Sequence, residues 1–395
     1  MADPLDALLD TEARSRIREP IESARTLPRQ AFTNEAFAAL EVDRIFGRRW
    51  IAARFECEIP APGDALPFDF CDMPLLAVRG SDGRPRVFHN ICPYDGCPVV
   101  FAPAKGLTEL VVPYHGWTYD LSGKLVRTPF WNGQPGCEVA DLGGRPGDLV
   151  EVTSETWLGA LWVNLAADPE PFVSHIAPVE RVLSEYRLDD LAVGCTIGEE
   201  PAVGRGDLHA NWKTFLENAC VNVLHESFVH RTYREAPQVP RVSADGTPTW
   251  FHDLDRNLLT FGYRRADFAD TYQFPPLPHI GAREEPRHEY FLTLYPNLVI
   301  STGAEHVLVA MVLPLSPGRC EVSTILLFDP SVAAGSAADT IRGIYEEAVR
   351  EDSVVMEAVQ RARRSPAFPS QFYSPAWDTL HYHMTQMILD DLETP

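Results

Sequence analysis

Two histidines of this chain are suited by type and spacing to bind one transition-metal ion. His225 and His230 lie five residues apart in the segment Asn222-Val-Leu-His-Glu-Ser-Phe-Val-His230. Five residues rotate a helix by about 500°, so the two imidazoles share no face of a continuous helix. They can meet at one ion if a helix from Asn211 ends near His225 and the next residues turn back. Two ordinary core or surface histidines are the alternative explanation.

Asp352 is the candidate for a carboxylate ligand. It lies in a predicted helix, residues 337–364, whose apolar stripe consists of Ile344, Ala348, Val355 and Val359. A carboxylate on an apolar face is costly unless it is paired or bound to a metal. A salt bridge or a position at the helix edge is the other explanation. With His225 and His230 it would form a 2-His-1-carboxylate set that suits Fe(II), leaves positions open for O₂ and substrate, and also accepts Zn(II) or Mn(II).

A second group of candidate ligands lies in two loops nearer the N-terminus. A Rieske [2Fe–2S] centre has two Cys on one iron and two His on the other, usually supplied by C-x-H and C-x-x-H. Here these segments are Cys92-Pro-Tyr94 and Val112-Pro-Tyr-His115. Because valine has no atom that coordinates a metal, we expect no cluster. A residual metal site made of Cys92, Cys97 and His115, or ordinary buried thiols, are the alternatives.

The chain resembles the catalytic α-subunits of the Rieske non-haem iron ring-hydroxylating oxygenases over nearly its whole length. The entry segment of that family matches Ala31–Trp50, and its two ligand loops match Val87–Gly96 and Val112–Lys124. Its iron-binding region matches Asn211–Asn218 and Glu351–Gln360.

This resemblance implies an α+β fold with two different domains. Residues 1–44 would form a helical segment packing on the catalytic domain, and residues 45–165 an all-β Rieske-like domain that lacks its cluster. Residues 166–395 would form the catalytic domain, a helix-grip fold of an antiparallel sheet with helices. The family also implies one Fe(II) at His225, His230 and Asp352, and a homotrimer or a heteromer with a related α-subunit.

Asn222 is predicted as a catalytic residue with an altered role. The family has an aspartate at this position, which links an iron-ligating His to the cluster-ligating His of the neighbouring subunit. An amide can still hydrogen-bond an imidazole, but it cannot carry the negative charge that raises the basicity of the ligand. Together with Tyr94 and Val112, it is the third change on one electron route.

Three functions therefore remain open. The first, which we favour because the metal triad is intact, is a non-haem Fe(II) oxygenase that oxidises a small organic substrate with O₂ and without electrons from a reductase. The second is a cluster-less subunit of a heteromeric oxygenase, fed by a cluster-bearing partner. The third is a non-catalytic structural subunit.

Composition predicts a cytoplasmic enzyme. The chain has 395 residues, of which 45% are apolar and 23% charged, and no apolar run approaches the roughly 20 residues that span a bilayer. Its acidic N-terminus lacks the features of a secretory signal. The net charge of −22 argues against nucleic-acid or membrane partners. The eight dispersed cysteines indicate reduced thiols rather than a disulfide framework.

Periodicity and turn residues predict the following elements. Helices are expected over residues 1 to about 44, with a clear one at 35–46, and at 179–186. Strands are expected at 75–78, 86–88, 110–112, 161–164, 290–295, 306–312 and 322–328. Glu217 and Glu226 are expected beside the metal or on the solvent side, rather than as ligands. An apolar pocket lining, or ordinary core, is expected from Phe251, Phe261, Tyr263, Phe274 and Phe291.

Overall fold

Two structural units make up the chain. The computed structural model describes residues 3–136, 138–197, 204–231, 245–265, 287–332 and 336–394, with residues 242, 277 and 280. One unit is Ala52–Ala167, and the other combines Met1–Ile51 with Asp168–Pro395. No helix in the described part of the chain is long and apolar enough to cross a membrane.

The unit Ala52–Ala167 is all β. Its strands are β1 Ile51–Phe55, β2 Ala65–Phe70, β3 Met73–Arg79, β4 Pro85–His89, β5 Leu110–Val111, β6 Thr118–Tyr119, β7 Leu125–Arg127, β8 Glu151–Trp157 and β9 Ala160–Asn164. Six of them form a sheet in the order β1-β9-β8-β4-β3-β2, and the other three a small sheet in the order β5-β6-β7. The four strands predicted in this region are confirmed.

Two tight loops in this unit share one backbone pattern. The Gly96 N–H donates to the Cys92 carbonyl at 2.9 Å, and the Gly116 N–H donates to the Val112 carbonyl at 3.0 Å. Both glycines have positive φ, +72° and +70°. Glycine adopts this left-handed conformation without steric cost. The loops that carry the Cys and His motifs are therefore equivalent turns.

The other unit contains an eight-stranded sheet. Its strands are β10 Ala192–Ile197, β11 Gly204–Leu208, β12 Trp250–Asp255, β13 Leu258–Arg265, β14 Arg287–Leu294, β15 Leu298–Thr302, β16 His306–Ser316 and β17 Arg319–Phe328. The order is β10-β17-β16-β15-β14-β13-β12, and β11 also pairs with β17. Each of these neighbouring pairs is antiparallel. The three strands predicted here are confirmed within the described residues.

One face of this sheet, here called the inner face, meets the helices that carry the metal candidates. The register places Phe261 opposite Phe291, Phe291 opposite Ser301, and Ser301 opposite Leu308. Since side chains alternate along a strand, Tyr263 lies on the same face as Phe261. The inner face is thus largely apolar and aromatic.

Helices cover the second unit. They are α1 Pro4–Leu8, α2 Thr11–Ile17, α3 Glu35–Glu41, α4 Phe172–Val182, α5 Trp212–Ala219, α6 Val223–Val229, α7 Ser336–Ala362 and α8 Thr379–Glu393. The predicted helix at 35–46 is confirmed as α3 followed by a π-helical turn, Val42–Phe46. The expectation of helix through residues 1–44 is wrong between α2 and the 3₁₀ turn Arg29–Phe32, a stretch that contains Pro20 and Pro28. With the all-β unit, the α+β class is confirmed.

α4 begins earlier than predicted and contains Pro178 in its interior. The prediction of a helix at 179–186 is therefore wrong at its start, since α4 covers Phe172–Val182; the predicted end coincides with a separate 3₁₀ turn, Ser184–Tyr186. A proline lacks the N–H that would bond to the carbonyl four residues earlier, here that of Ser174. The Arg256 guanidinium donates to this carbonyl at 3.1 Å instead. A side chain from outside the helix thus replaces the missing bond.

The segment before residue 51 is attached to α5 by a buried ion pair. Lys213 Nζ lies 2.6 Å from Glu41 Oε1, and the Trp212 indole N–H donates to Glu41 Oε2 at 3.0 Å. Burial lowers the pKa of Lys213 and raises that of Glu41, while their mutual attraction opposes both shifts. Lys213 Nζ also lies 5.0 Å from the centroid of the Phe32 ring. These contacts hold the start of α5 in place.

Candidate metal centre

α6 and α7 bring His225, His230 and Asp352 together. The Nε2 atoms of the two histidines are 3.1 Å apart. Asp352 Oδ1 lies 3.3 Å from His225 Nε2 and 3.6 Å from His230 Nε2. In the described part of the chain, no other group of three His, Cys, Asp or Glu side chains converges in this way.

The three atoms fit one transition-metal ion. Their separations define a circle with a radius of about 1.9 Å, slightly less than the roughly 2.0–2.2 Å of metal bonds to imidazole and carboxylate. All three atoms could therefore hold one ion. A 2-His-1-carboxylate set occupies three ligand positions of an iron and leaves others open for O₂ and substrate. The residues present fit a mononuclear iron.

The local backbone explains how two histidines five residues apart can meet. His225 lies inside α6, while His230 follows its last residue and is extended, with φ −86° and ψ 119°. The expectation that a helix from Asn211 ends near His225 is wrong in position, because α5 ends at Ala219 and α6 continues to Val229. The turn back occurs one helical turn later than predicted.

Asp352 lies beside the other two ligands, but not on the predicted stripe. Ile344 is 56% and Val355 39% exposed, so that stripe is wrong. The buried residues of α7 include Ile341, Met356 and Gln360. Asp352 follows Ile341 by eleven residues and precedes Met356 by four, which places it on this side of the helix. Because this inward face of α7 contains polar residues such as Gln360, apolar periodicity indicated a neighbouring stripe instead.

Glu351 is a residue that the sequence reasoning did not assign a role. Its Oε2 lies 3.1 Å from His230 Nδ1, and its Oε1 accepts from the Arg231 N–H at 3.2 Å. A carboxylate at Nδ1 keeps the proton on that atom, so Nε2 presents its lone pair towards Asp352 and His225. The adjacency of Glu351 to Asp352 in one acidic pair was the available sequence signal.

The structure makes Asn222 the N-cap of α6. Its Oδ1 accepts from the Leu224 and His225 N–H groups at 2.9 and 3.0 Å. Its Nδ2 donates to the Trp377 carbonyl at 3.5 Å. These contacts, all with backbone atoms, fix the start of the helix that carries His225. A direct catalytic part for Asn222 stays a prediction.

Two other acidic residues, Glu226 on α6 and Glu217 on α5, were considered as neighbours of the metal. Glu226 is 2% exposed and accepts a short hydrogen bond from the Tyr263 hydroxyl on the inner face. Glu217 Oε2 pairs with the Arg363 guanidinium at 2.5 Å. Both carboxylates thus have partners outside the group of three.

The aromatic residues proposed as pocket lining divide between the two faces of the sheet. Phe261, Tyr263 and Phe291 share the inner face. Phe251 pairs with Gly262, between Phe261 and Tyr263, and therefore points to the opposite face. Its inclusion in the lining is wrong, and Phe274 lies outside the described residues.

The two loops that carry Cys92 and His115 pack around a hydrophobic core. Cys92 is fully buried and Val112 is 1% exposed, in one cluster with Trp117 and Tyr119. The Cys92 thiol lies 3.4 Å from the Tyr119 hydroxyl. Burial raises the pKa of Cys92, which disfavours the thiolate that a metal requires.

The outer part of the same site is filled by stacked rings. Tyr94 stacks on Trp117 with 5.0 Å between ring centroids and an interplanar angle of 8°. His115 Nδ1 lies 2.5 Å from Asp95 Oδ2. Burial alone would raise the pKa of Asp95, but hydrogen bonds from the Cys97 N–H and His115 outweigh it and lower that pKa. His115 therefore has a carboxylate partner in the other of the two loops.

These residues do not fit a [2Fe–2S] cluster. Such a cluster needs two thiolates and two imidazoles, whereas a buried valine and a stacked tyrosine occupy two of the four positions. The alternative group of Cys92, Cys97 and His115 does not converge as a metal site within the described residues.

Comparison with known families decides the assignment. The family model for the ring hydroxylating alpha subunit, catalytic domain, matches residues 185–394. The chain belongs to this family. A model for the Rieske [2Fe-2S] domain matches residues 49–138, which confirms the resemblance in both parts. The chain is an oxidoreductase of the non-haem iron oxygenase class.

Curated relatives extend over most of the chain. The oxygenase subunit of glycine betaine monooxygenase from Chromohalobacter salexigens is 26% identical over 94% of this chain and 90% of its own length. The chloroplastic choline monooxygenase of Arabidopsis thaliana is 24% identical over 92% of this chain and 82% of its own length.

Solved structures agree with the fold. A quaternary ammonium Rieske monooxygenase in complex with gamma-butyrobetaine superposes with a TM-score of 0.74 at 17% identity, over 96% of this chain and 98% of the other. The Rieske-type domain followed by a sheet-and-helix catalytic domain is thereby confirmed as the fold class.

Proposed function

We propose that this chain is a non-haem Fe(II) oxygenase that has no [2Fe–2S] cluster and oxidises a small quaternary ammonium compound or related organic substrate without electrons from a reductase. The observation that carries the proposal is a contrast between two sites. His225, His230 and Asp352 converge as a group that could hold a metal ion, whereas the buried side chain of Val112 and the stacked ring of Tyr94 occupy the positions of two cluster ligands.

Electron balance limits the reaction. Complete reduction of O₂ takes four electrons. When one oxygen atom is inserted into the substrate and the other becomes water, the substrate supplies two of these electrons, and two more must come from another source. Without a cluster to deliver them, the substrate must supply four electrons or accept both oxygen atoms. Oxidation of a primary alcohol to a carboxylic acid meets the first condition, since RCH₂OH and O₂ give RCOOH and H₂O. An amino alcohol such as choline fits both this balance and the chemistry named for the relatives.

The chain's own residues would hold and orient the reaction centre. A bound ferrous ion would supply the redox chemistry with O₂. His225, His230 and Asp352 would hold it, and Glu351 would keep the proton of His230 on Nδ1. Apolar inner-face residues such as Phe261 and Phe291 would limit water near the substrate.

The test is oxygen consumption by the iron-loaded chain alone, with choline, glycine betaine and electron-rich aromatic compounds, in the presence and absence of a reductase system. We expect uptake that requires substrate and is unchanged by the reductase. The double variant Tyr94→His/Val112→Cys should not increase the rate. Absence of uptake under all single-component conditions would contradict the proposal.

A heteromeric oxygenase is the second candidate. It is favoured by one observation: relatives that span the chain are monooxygenases of quaternary ammonium compounds, and monooxygenation needs two outside electrons. In that case a cluster-bearing α-subunit would deliver them. Uptake that appears with such a partner and a reductase together, and with neither alone, would decide for this function.

A further inference from the structure

The start of α8 contacts both sides of the junction between α5 and α6. This junction consists of residues 220–222. On the α5 side, His381 Nε2 lies 2.8 Å from the carbonyl oxygen of Glu217. On the α6 side, the Trp377 carbonyl accepts from Asn222 Nδ2 at 3.5 Å. Residues at the start of one helix thus hold the end of α5 and the beginning of α6.

The carbonyl of Glu217 lies where α5 stops. The Cys220 N–H donates to the Leu216 carbonyl at 2.9 Å, but Cys220 has left the helical conformation, with φ −73° and ψ 62°. In a longer helix, the N–H of Val221 would be the donor to the Glu217 carbonyl. A carbonyl oxygen can only accept, so the proton of this contact lies on His381 Nε2. A side chain of α8 thus supplies a donor at the last turn of α5.

The ring of His381 is fixed to its surroundings. Its Nδ1 lies 3.5 Å from Asp378 Oδ1, and the other oxygen of Asp378 accepts from the Ser374 N–H at 2.7 Å. Trp377 packs on Trp250 of β12, with 5.1 Å between ring centroids. The helix itself packs against β12 and β13. The donor is therefore held relative to the sheet, and the end of α5 is held by it.

The junction determines where His225 lies. Eight residues of continuous helix would carry the chain about 12 Å straight on from Glu217. Because the chain turns at residues 220–222 instead, α6 takes its own direction, and His225 Nε2 comes to 3.3 Å from Asp352 Oδ1. A contact that ends α5 therefore supports the geometry of the metal site.

We propose that His381 is a positioning residue for the metal site. Its Nε2–H holds the end of α5 at Glu217, so that the chain turns and α6 presents His225 to Asp352. Asp378 orients the ring of His381. This inference rests on the proposed function and adds a residue that acts on the site through the backbone, without contact to metal or substrate.

The test uses two substitutions of His381 that differ by one methylene group. In His381→Gln, the amide nitrogen is as many bonds from Cα as Nε2 and can reach the Glu217 carbonyl. In His381→Asn, it is only as far as Nδ1 and falls short. His383→Asn is the matched control, because His383 lies about 200° further around α8, with its ring beside Tyr382. The probe is Co(II), which is added to the metal-free full-length chain and accepts the same ligands.

Affinity and visible absorption of bound Co(II) are the first measurements, since the absorption depends on ligand geometry. We expect His381→Asn to raise the dissociation constant about threefold or more, the effect of losing one hydrogen bond, and to change the shape of the absorption band. His381→Gln and His383→Asn should keep the affinity and the spectrum of the unsubstituted chain. A contact that only stabilised the fold would leave the spectrum unchanged. Equal losses in both His381 variants would overturn the inference.

Hydrogen exchange in the metal-free chain separates this inference from the proposed function. The amides of residues 216–226 should exchange about threefold faster in His381→Asn than in the unsubstituted chain or in His381→Gln. If this difference appears but no protein binds Co(II), the role of His381 at the junction stands and the proposed iron chemistry fails. If all four proteins bind Co(II) with the same affinity, spectrum and exchange, the metal site stands and the role of His381 fails.

Discussion

Metal binding would depend on three ligand atoms: His225 Nε2, His230 Nε2 and Asp352 Oδ1. They lie 3.1 to 3.6 Å apart and are contributed by α6, the residue that follows it, and α7. None of them is near the Cys92 and His115 loops in sequence. Iron binding at the triad and the fate of the Rieske-like site can therefore be tested separately.

Replacing either triad histidine should remove the metal. We expect His225→Ala and His230→Ala to lose iron and oxygen uptake together, because two remaining protein ligands hold the ion weakly. His115→Ala is the matched control, since this histidine pairs with Asp95, and it should keep about one iron per chain. Iron content by atomic emission is the measurement, and full iron in both triad variants would show that the site is wrongly assigned.

Glu351 should tune the affinity of the same site. Glu351→Gln and Glu351→Ala are expected to weaken iron binding about 10- to 100-fold, the usual effect of losing a carboxylate behind a ligating histidine. Glu347→Gln is the control, because Glu347 lies one turn earlier on α7 and pairs with the exposed side chain of Arg231. Competition with a chelator gives the affinities. Equal affinities in the Glu351 and Glu347 variants would exclude the role given to Glu351.

Among the secondary-structure elements, the two ends of α6 determine where the histidine ligands lie. α6 is seven residues long and begins at the Asn222 cap. A helix this short is marginal without its cap and its packing. The amide of Asn222 thus has a structural part as the cap of α6, whatever its part in electron transfer.

Loss of this cap should affect both stability and the metal. Asn222→Ala is expected to lower the free energy of unfolding by about 1 kcal/mol and to weaken iron binding, whereas Asn222→Asp keeps the cap. Asn34→Ala removes an equivalent cap from α3, where Asn34 Oδ1 accepts from Ala36 and Phe37. This control should lose similar stability with no loss of iron affinity. Urea unfolding and chelator competition together check the prediction, which fails if Asn34→Ala weakens iron binding as much as Asn222→Ala.

The sequence was most informative where one physical pattern dominates. Buried strands such as β16 and β17 are long apolar runs, and the long helix predicted at 337–364 is present as α7. It was least informative where tertiary contacts override a local rule. α4 passes through Pro178 because Arg256, from a distant turn, bonds the freed carbonyl. Because the inward side of α7 is partly polar, apolar periodicity indicated the wrong stripe of this helix. Asp352 was nevertheless correctly predicted to lie beside the two histidines.

The contact between Glu351 and His230 could not be derived from sequence spacing alone. It joins two residues 121 positions apart, and its geometry depends on where α6 ends. The same holds for His381 and Glu217, which lie 164 positions apart and meet where the start of α8 packs beside the end of α5. Motif reasoning finds residues that bind a metal directly, whereas residues that orient them require the fold.

At the scale of the whole molecule, the family resemblance predicts a homotrimer or a heteromer with a related chain. The chain has a mass of 44.1 kDa, so a closed trimer would have about three times this mass. Light scattering at micromolar concentration is the measurement. A monomer would contradict the prediction, and a stable complex with a cluster-bearing α-subunit would favour the heteromeric oxygenase.

We propose that the chain binds one mononuclear iron and no [2Fe–2S] cluster. Iron and acid-labile sulfide, measured on one anaerobically purified sample, test both parts together. We expect about one iron and no sulfide per chain, with no visible absorption from a Rieske centre, because Tyr94 and Val112 do not coordinate iron. About three irons and two sulfides per chain would contradict the account, since that is the content of a chain with both a [2Fe–2S] cluster and a mononuclear site.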